Sequence, residues 1–190
     1  MNRRNFLQAA GGAAFNAALV GGACANILVP AHATTPADPR ARADVRQLSF
    51  LNTHTGDTFS DAYWLNGDYV PDAMAAINHV MRDHRSGETH AIDPRLLDQL
   101  HTLKSLVSAS SPFQIISGYR SPATNAALHA NSSGVASRSL HMDGRAIDIR
   151  VGGVDLSRLR DAALGMRAGG VGYYAASDFI HVDTGRVRSW

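Results

Sequence analysis

The sequence predicts an α+β domain with a mostly antiparallel sheet and flanking helices. Three observations predict it. Thr55-Gly56-Asp57 separates two strand-like runs, as the turn of a hairpin does. Leu96, Leu97, Leu100, Leu103 and Val107 recur at helical spacing behind Asp93-Pro94, an N-cap followed by proline at the first helical position. The helical and strand-like segments also lack the regular alternation that builds a parallel sheet.

Residues 1–33 are expected to form an export signal and not part of the domain. Asn2-Arg3-Arg4-Asn5-Phe6-Leu7-Gln8 resembles the twin-arginine pattern, and a weakly apolar Ala/Gly-rich run follows to Val29. Ala31-His32-Ala33 fits small-x-small cleavage, which puts the mature start at Thr34 and the mature protein in the periplasm. Glycines, Asn16 and Asn26 interrupt the run and make it a poor permanent span, so no membrane span is expected in the mature form. Cys24, the single cysteine, lies in this segment. Lipidation there is the competing reading, and Gly21 stands against it where a lipobox has leucine.

Residues 34–45 read as a flexible leader rich in Pro, Ala and charge, and 46–190 as the domain. Strands are predicted over 46–53 and 58–65, then a helix from Pro71 to about His84. The helix from Pro94 to Val107 follows, then a strand over 113–117 and a short helix over 124–130. Asn131 to Arg138 is a Ser/Gly-rich loop. A strand over 146–151, a helix from Leu156 towards Gly169, strands over 171–174 and 179–183, and a short tail over 186–190 complete the chain.

The 190 residues suffice for one domain with a full core. Arg3 and Arg4 are the only charges in residues 1–33, so the net charge of +2 falls to zero without that segment. A role resting on bulk charge towards nucleic acid or a membrane surface is thereby disfavoured. With no cysteine beyond residue 33, disulfides and thiolate ligands are excluded from the mature chain. Any metal must be held by histidine and carboxylate.

Ser137–Arg150 offers one imidazole, His141, and seven residues later one carboxylate, Asp148. Gly144 lies between them and allows a turn, after which Ala146-Ile147-Asp148-Ile149 alternates as a half-buried strand does. His141 from a loop and Asp148 from a strand suit a divalent metal of zinc type. His181, in Phe179-Ile180-His181-Val182-Asp183, projects from the strand face opposite Ile180 and Val182 and is the natural third ligand. Two histidines and one carboxylate leave a fourth position for water, as in catalytic zinc sites. A neighbouring carboxylate can carry the proton from water to a leaving amine, and Asp178 and Asp183 are the two candidates. Asp183 has a second reading, orienting His181 by a hydrogen bond. Tyr173 and Tyr174 either line the cleft and touch substrate or belong to the core. His54, His79, His84, His90, His101 and His129 lack partner spacing and read as solvated or packing residues.

Ser139-x-His141-x-x-Gly144-x-Ala146-x-Asp148, followed by His181-x-Asp183, resembles the LAS-type zinc peptidases, which include D-alanyl-D-alanine carboxypeptidases and the hedgehog domain. Ser117-Gly118-Tyr119-Arg120-Ser121-Pro122, Gly170-Val171-Gly172-Tyr173-Tyr174 and the ending Asp183-Thr184-Gly185-Arg186-Val187-Arg188-x-Trp190 most resemble the MepK-type murein endopeptidases within that group. The resemblance covers 46–190. It implies a hedgehog/D-Ala-D-Ala-peptidase-like fold, Zn2+ on His141, Asp148 and His181, and hydrolysis of peptide cross-links in peptidoglycan; separately, the protein is expected to be a monomer. It places Arg120 near the substrate carbonyl or carboxylate and Ser139 in contact with substrate. Asp178 falls where related enzymes carry a catalytic Glu or His. Two alternatives stand beside this reading: a D,D- or L,D-carboxypeptidase of the same fold, and a zinc-bearing peptidoglycan-binding module without catalysis.

Overall fold

The computed structural model describes residues 44–131 and 136–190. The expected signal at 1–33 with Cys24, and nearly all of the expected leader, lie outside the described residues. The strands are β1 (Val45–Asn52), β2 (Thr58–Leu65), β3 (Asp68–Tyr69), β4 (Phe113–Ser117), β5 (Ala146–Val151), β6 (Gly170–Tyr174), β7 (Phe179–Asp183) and β8 (Arg188–Ser189). The helices are α1 (Pro71–Val80), α2 (Pro94–Leu106), α3 (Pro122–Asn131) and α4 (Leu156–Met166). Among the described residues the strands form one sheet in the order β3-β2-β1-β4-β5-β7-β6-β8. Its neighbours run antiparallel except β1 with β4 and β6 with β8. The α+β class with a mostly antiparallel sheet is therefore as the sequence predicts. No helix among the described residues is long and apolar enough to cross a membrane.

Alternation along the strands decides which face is buried. Leu48 and Phe50, Phe113 and Ile115, Ile147 and Ile149, and Ile180 and Val182 join one core with Leu96, Leu97, Leu100 and Leu103 of α2. Asp93 caps α2 through its side chain, which accepts from the Arg95 amide, and proline follows at the first helical position. The intervening positions of β5 and β7, Asp148 and His181 among them, are left for the opposite face.

Several boundaries differ from expectation. β1 begins at Val45, one residue before the expected Arg46, and Asp44 accepts from the Trp64 indole at 3.0 Å. α3 begins at Pro122, two residues before the expected Thr124. β3, β8 and a 3₁₀ turn over Leu140–Asp143 stand where no element is expected. α1 stops at Val80, short of His84, because tertiary bonds replace the helical ones. The Met81 carbonyl accepts from the Tyr119 amide at 2.7 Å. Gly118 permits that approach, since a Cβ there would run into the Met81 carbonyl.

Asp83 locks the same junction. Its side chain is 1% exposed and accepts from the amides of Arg85 and Ser121, each at 2.9 Å. Burial raises its pKa, but hydrogen bonds from Thr124, Ser121 and Arg85 outweigh that and hold it well below the usual carboxylate range. A depressed folded pKa stabilises the fold above the ordinary carboxylate value, and the contribution is lost as pH falls through the depressed one. Asp83→Asn is expected to cost about 1–3 kcal/mol near neutral pH. Urea melts should show the gap to wild type closing as pH drops below about 4.

Candidate metal centre

The register of the sheet puts two of the three expected ligands side by side. Asp148 of β5 and His181 of β7 are direct cross-strand partners, flanked by Ser117 of β4 on one side and Gly172 of β6 on the other. His141 arrives from the 3₁₀ turn Leu140–Asp143. That turn is tied at its start by Ser139, whose hydroxyl accepts from the His141 amide at 3.4 Å. Gly144 ends it in the left-handed region at φ +64°, where a Cβ would run into the Ala91 carbonyl. Gly144→Ala is expected to cost about 1–2 kcal/mol from the backbone conformation alone, with the clash added to it. Lower thermal stability together with weakened metal uptake would check it.

The ligand atoms converge. His141 Nε2 lies 3.2 Å from His181 Nδ1, and Asp148 Oδ1 lies 2.9 Å from His181 Nδ1 and 3.3 Å from His141 Nε2. All three residues are buried. The far side of each imidazole is engaged as well. His141 Nδ1 donates to the Gly118 carbonyl at 2.7 Å, and His181 Nε2 donates to Asp183 Oδ2 at 3.0 Å. Those partners assign the tautomers and leave one lone pair on each ring aimed at Asp148 Oδ1. Three buried lone pairs facing one another repel unless a cation sits between them, so the donor set fits a metal.

The same contacts shift the acidities of the cluster. Burial raises the pKa of Asp148, but His141 and His181 outweigh it and hold the carboxyl well below the usual range. Burial lowers the pKa of His181, yet the hydrogen bonds to Asp148 and Asp183 leave it raised. Asp183 is fully buried and also accepts from Arg188 at 2.7 and 3.1 Å, from the Gly170 amide at 3.0 Å and from the Gly185 amide at 2.8 Å. These donors and His181 overcome the effect of burial and keep it ionised.

A cavity of about 360 Å³ opens onto the three ligands. Arg120, Arg138, Ser139, Tyr174, Phe179 and Trp190 are among its walls. Arg120 is anchored by its amide to the His141 carbonyl at 3.1 Å, and its Nη2 lies 3.8 Å from Asp148 Oδ2 and 3.3 Å from Ser117 Oγ. The Trp190 ring is 5.2 Å from that of His181, and its Nε1 donates to the Tyr174 hydroxyl at 2.8 Å. Gly172 makes room for this indole, because a Cβ would meet it at 2.8 Å.

Two of the expected site residues lie elsewhere. Asp178 is exposed, adopts φ +54° and pairs with Arg150 at 3.2 Å beside a separate hollow. Tyr173 packs against the core beneath Arg160, 4.6 Å away, so of the two tyrosines Tyr174 faces the cavity. Asp183 touches the centre only through His181. Sequence reasoning missed the Gly118 carbonyl, which carries no side-chain signature. It also gave no role to Arg188 or Trp190, although both stand in the quoted C-terminal motif. Of the histidines set aside, His54 stacks on His84 at 3.8 Å and His90 on Tyr119 at 4.8 Å.

Comparison with known proteins agrees with this geometry. The family model described as Peptidoglycan L,D-endopeptidase MepK matches residues 40–190. Peptidoglycan L,D-endopeptidase MepK of Escherichia coli (strain K12) is 44% identical over 189 residues, covering 100% of this chain and 97% of that protein. The protein of the same name from Shigella flexneri gives the same figures. Probable peptidoglycan L,D-endopeptidase MepK of Haemophilus influenzae is 40% identical over 146 residues, 76% of this chain and 78% of that protein. With sheet, ligand cluster and full-length similarity in agreement, the chain belongs to the MepK family of peptidoglycan peptidases.

Proposed function

We propose that this chain is a zinc-dependent endopeptidase that hydrolyses L,D-linked peptide cross-links of peptidoglycan in the periplasm. The observation that carries the reading is the meeting of His141 Nε2, Asp148 Oδ1 and His181 Nδ1 with the far nitrogen of each ring already bound. These three atoms would hold Zn2+. When bound, zinc supplies Lewis acidity to the scissile carbonyl and makes water nucleophilic near neutral pH.

The remaining work falls to the chain. Gly118 and Asp183 fix the two imidazoles, so their lone pairs are preorganised and not recruited on binding. Arg120 sets a permanent positive charge beside Asp148, where it stabilises negative charge developing on the amide oxygen. Ser139 lines the cavity with a hydroxyl free to donate to substrate. Among the described residues only Asp148 contributes carboxylate oxygens to the cavity, and its Oδ2 faces Arg120. Asp178 is held by Arg150 away from the cavity, and Asp183 serves as the orienting partner of His181.

Export rests on Arg3-Arg4 and Ala31-His32-Ala33. Mass spectrometry of protein recovered from the periplasm should give Thr34 as the first residue, and an intact Met1 would contradict export with cleavage. The activity is tested by incubating zinc-loaded protein with purified cross-linked dimers and with linear stem peptides. Conversion of dimers to monomers, with linear peptides untouched, is expected. Trimming of linear peptides alone would make the protein a carboxypeptidase. Zinc and peptidoglycan binding without any new amine would make it a binding module.

A further inference from the structure

The charges of the cavity do not balance. Among the described residues, three side-chain guanidinium groups line it, from Arg120, Arg138 and Arg188, against one side-chain carboxylate, that of Asp148. Arg188 is neutralised behind the wall, since both its terminal nitrogens bond Asp183 and its guanidinium lies 4.8 Å over the Trp190 ring. Arg120 is half-buried and shares Asp148, Ser117 and Asn125. Arg138 is different: it is exposed and has no hydrogen bond or ion pair among the described residues. Asp148 gives it nothing to pair with, because Oδ1 serves both histidines and Oδ2 faces Arg120.

A neutral amide alone does not complement a cavity with a cation to spare. An anion on the substrate does. The side chains of Tyr174, Phe179 and Trp190 on the other wall are aromatic and uncharged, so they give an anion no partner and the arginine side chains do. About 360 Å³ admits a few peptide units and not a glycan strand. The anion native to a stem peptide is a carboxylate, and a guanidinium takes it in a two-pronged, planar contact that an ammonium cannot copy.

We infer that Arg138 is a specificity-determining residue that binds a free carboxylate of the stem peptide beside the amide to be cut. This rests on the peptidase reading of the same cavity. Arg138 follows Ser137 and precedes Ser139, on the segment that delivers His141, so carboxylate capture and ligand placement share one stretch of chain.

The test compares one cross-linked muropeptide in two forms, with that carboxylate free or converted to its carboxamide. Wild type should prefer the free acid by on the order of tenfold in kcat/KM, the scale of one partly solvated charged contact. Arg138→Gln should lose about that factor on the free acid, mainly through KM, and less than about twofold on the carboxamide. Arg138→Lys should fall between. Equal losses on both forms, or a wild type indifferent to the carboxamide, would overturn the inference. Calorimetric binding of the same two muropeptides to a His141→Ala protein separates this from the peptidase reading. A preference for the free acid there that Arg138→Gln abolishes supports carboxylate capture even if no cleavage is ever seen. Equal binding of the two forms rejects it even if cleavage is robust.

Discussion

His141→Ala is expected to lower kcat/KM on cross-linked muropeptides by on the order of a thousandfold or more, because the zinc we propose for this site would supply Lewis acidity worth several kcal/mol in the transition state. The reason is local. His141 provides one of three donor atoms, and its loss leaves Asp148 and His181 as a two-point site with an open side towards the cavity. His141 is also the cleaner of the two histidines to remove. Its other nitrogen bonds only the Gly118 carbonyl, whereas loss of His181 would strip a partner from both Asp148 and Asp183. The strands and α2 core are untouched, so the variant should melt cooperatively while metal analysis finds its zinc stoichiometry far below one. Full zinc and full activity in that variant would remove His141 from the centre.

Asp183→Ala is expected to have the next largest effect, and a double one. The carboxylate is fully buried and receives Arg188, His181 and the amides of Gly170 and Gly185. Truncating one side of a buried charged network costs about 3–5 kcal/mol, because the partners are left without compensation. The second effect falls on the metal. Without an acceptor at Nε2, His181 is no longer held in the tautomer that presents Nδ1, and affinity should drop by about 10–100-fold. Asp183→Asn keeps the volume and one acceptor oxygen, so it should recover much of the stability and less of the affinity. Thermal melts and competitive zinc titration report the two effects separately. A proton-shuttling role for Asp183 would instead lower turnover and leave affinity intact.

The sequence showed most of what local periodicity can show. The Asp93-Pro94 start and the Leu96–Leu103 stripe define α2 because capping and a 3.6-residue repeat are written in adjacent residues. The strands over 58–65, 113–117, 146–151 and 179–183 are found at the expected positions. The alternation of Ile180, His181 and Val182 placed His181 on the correct face, and the sheet register then made it the cross-strand partner of Asp148. What escaped depends on contacts between distant residues. The early end of α1 is set by Tyr119 and Ser121, well along the chain from Met81 and Asp83. β8 is two residues long and exists only because β6 lies beside it. Asp178 sits three residues before His181, but its positive φ and its bond to Arg150 turn it from the cavity, which sequence spacing does not reveal. Tyr173 and Tyr174 are adjacent, and only the pleat of β6 says which one faces the cleft.

X-ray diffraction from zinc-loaded crystals, recorded on both sides of the zinc absorption edge, tests the central claim most directly. One anomalous peak is expected within about 2.0–2.2 Å of His141 Nε2, His181 Nδ1 and an Asp148 oxygen, with the fourth direction open to the cavity. A peak at any other cluster, or a zinc held by the opposite nitrogens of the two rings, would contradict the account.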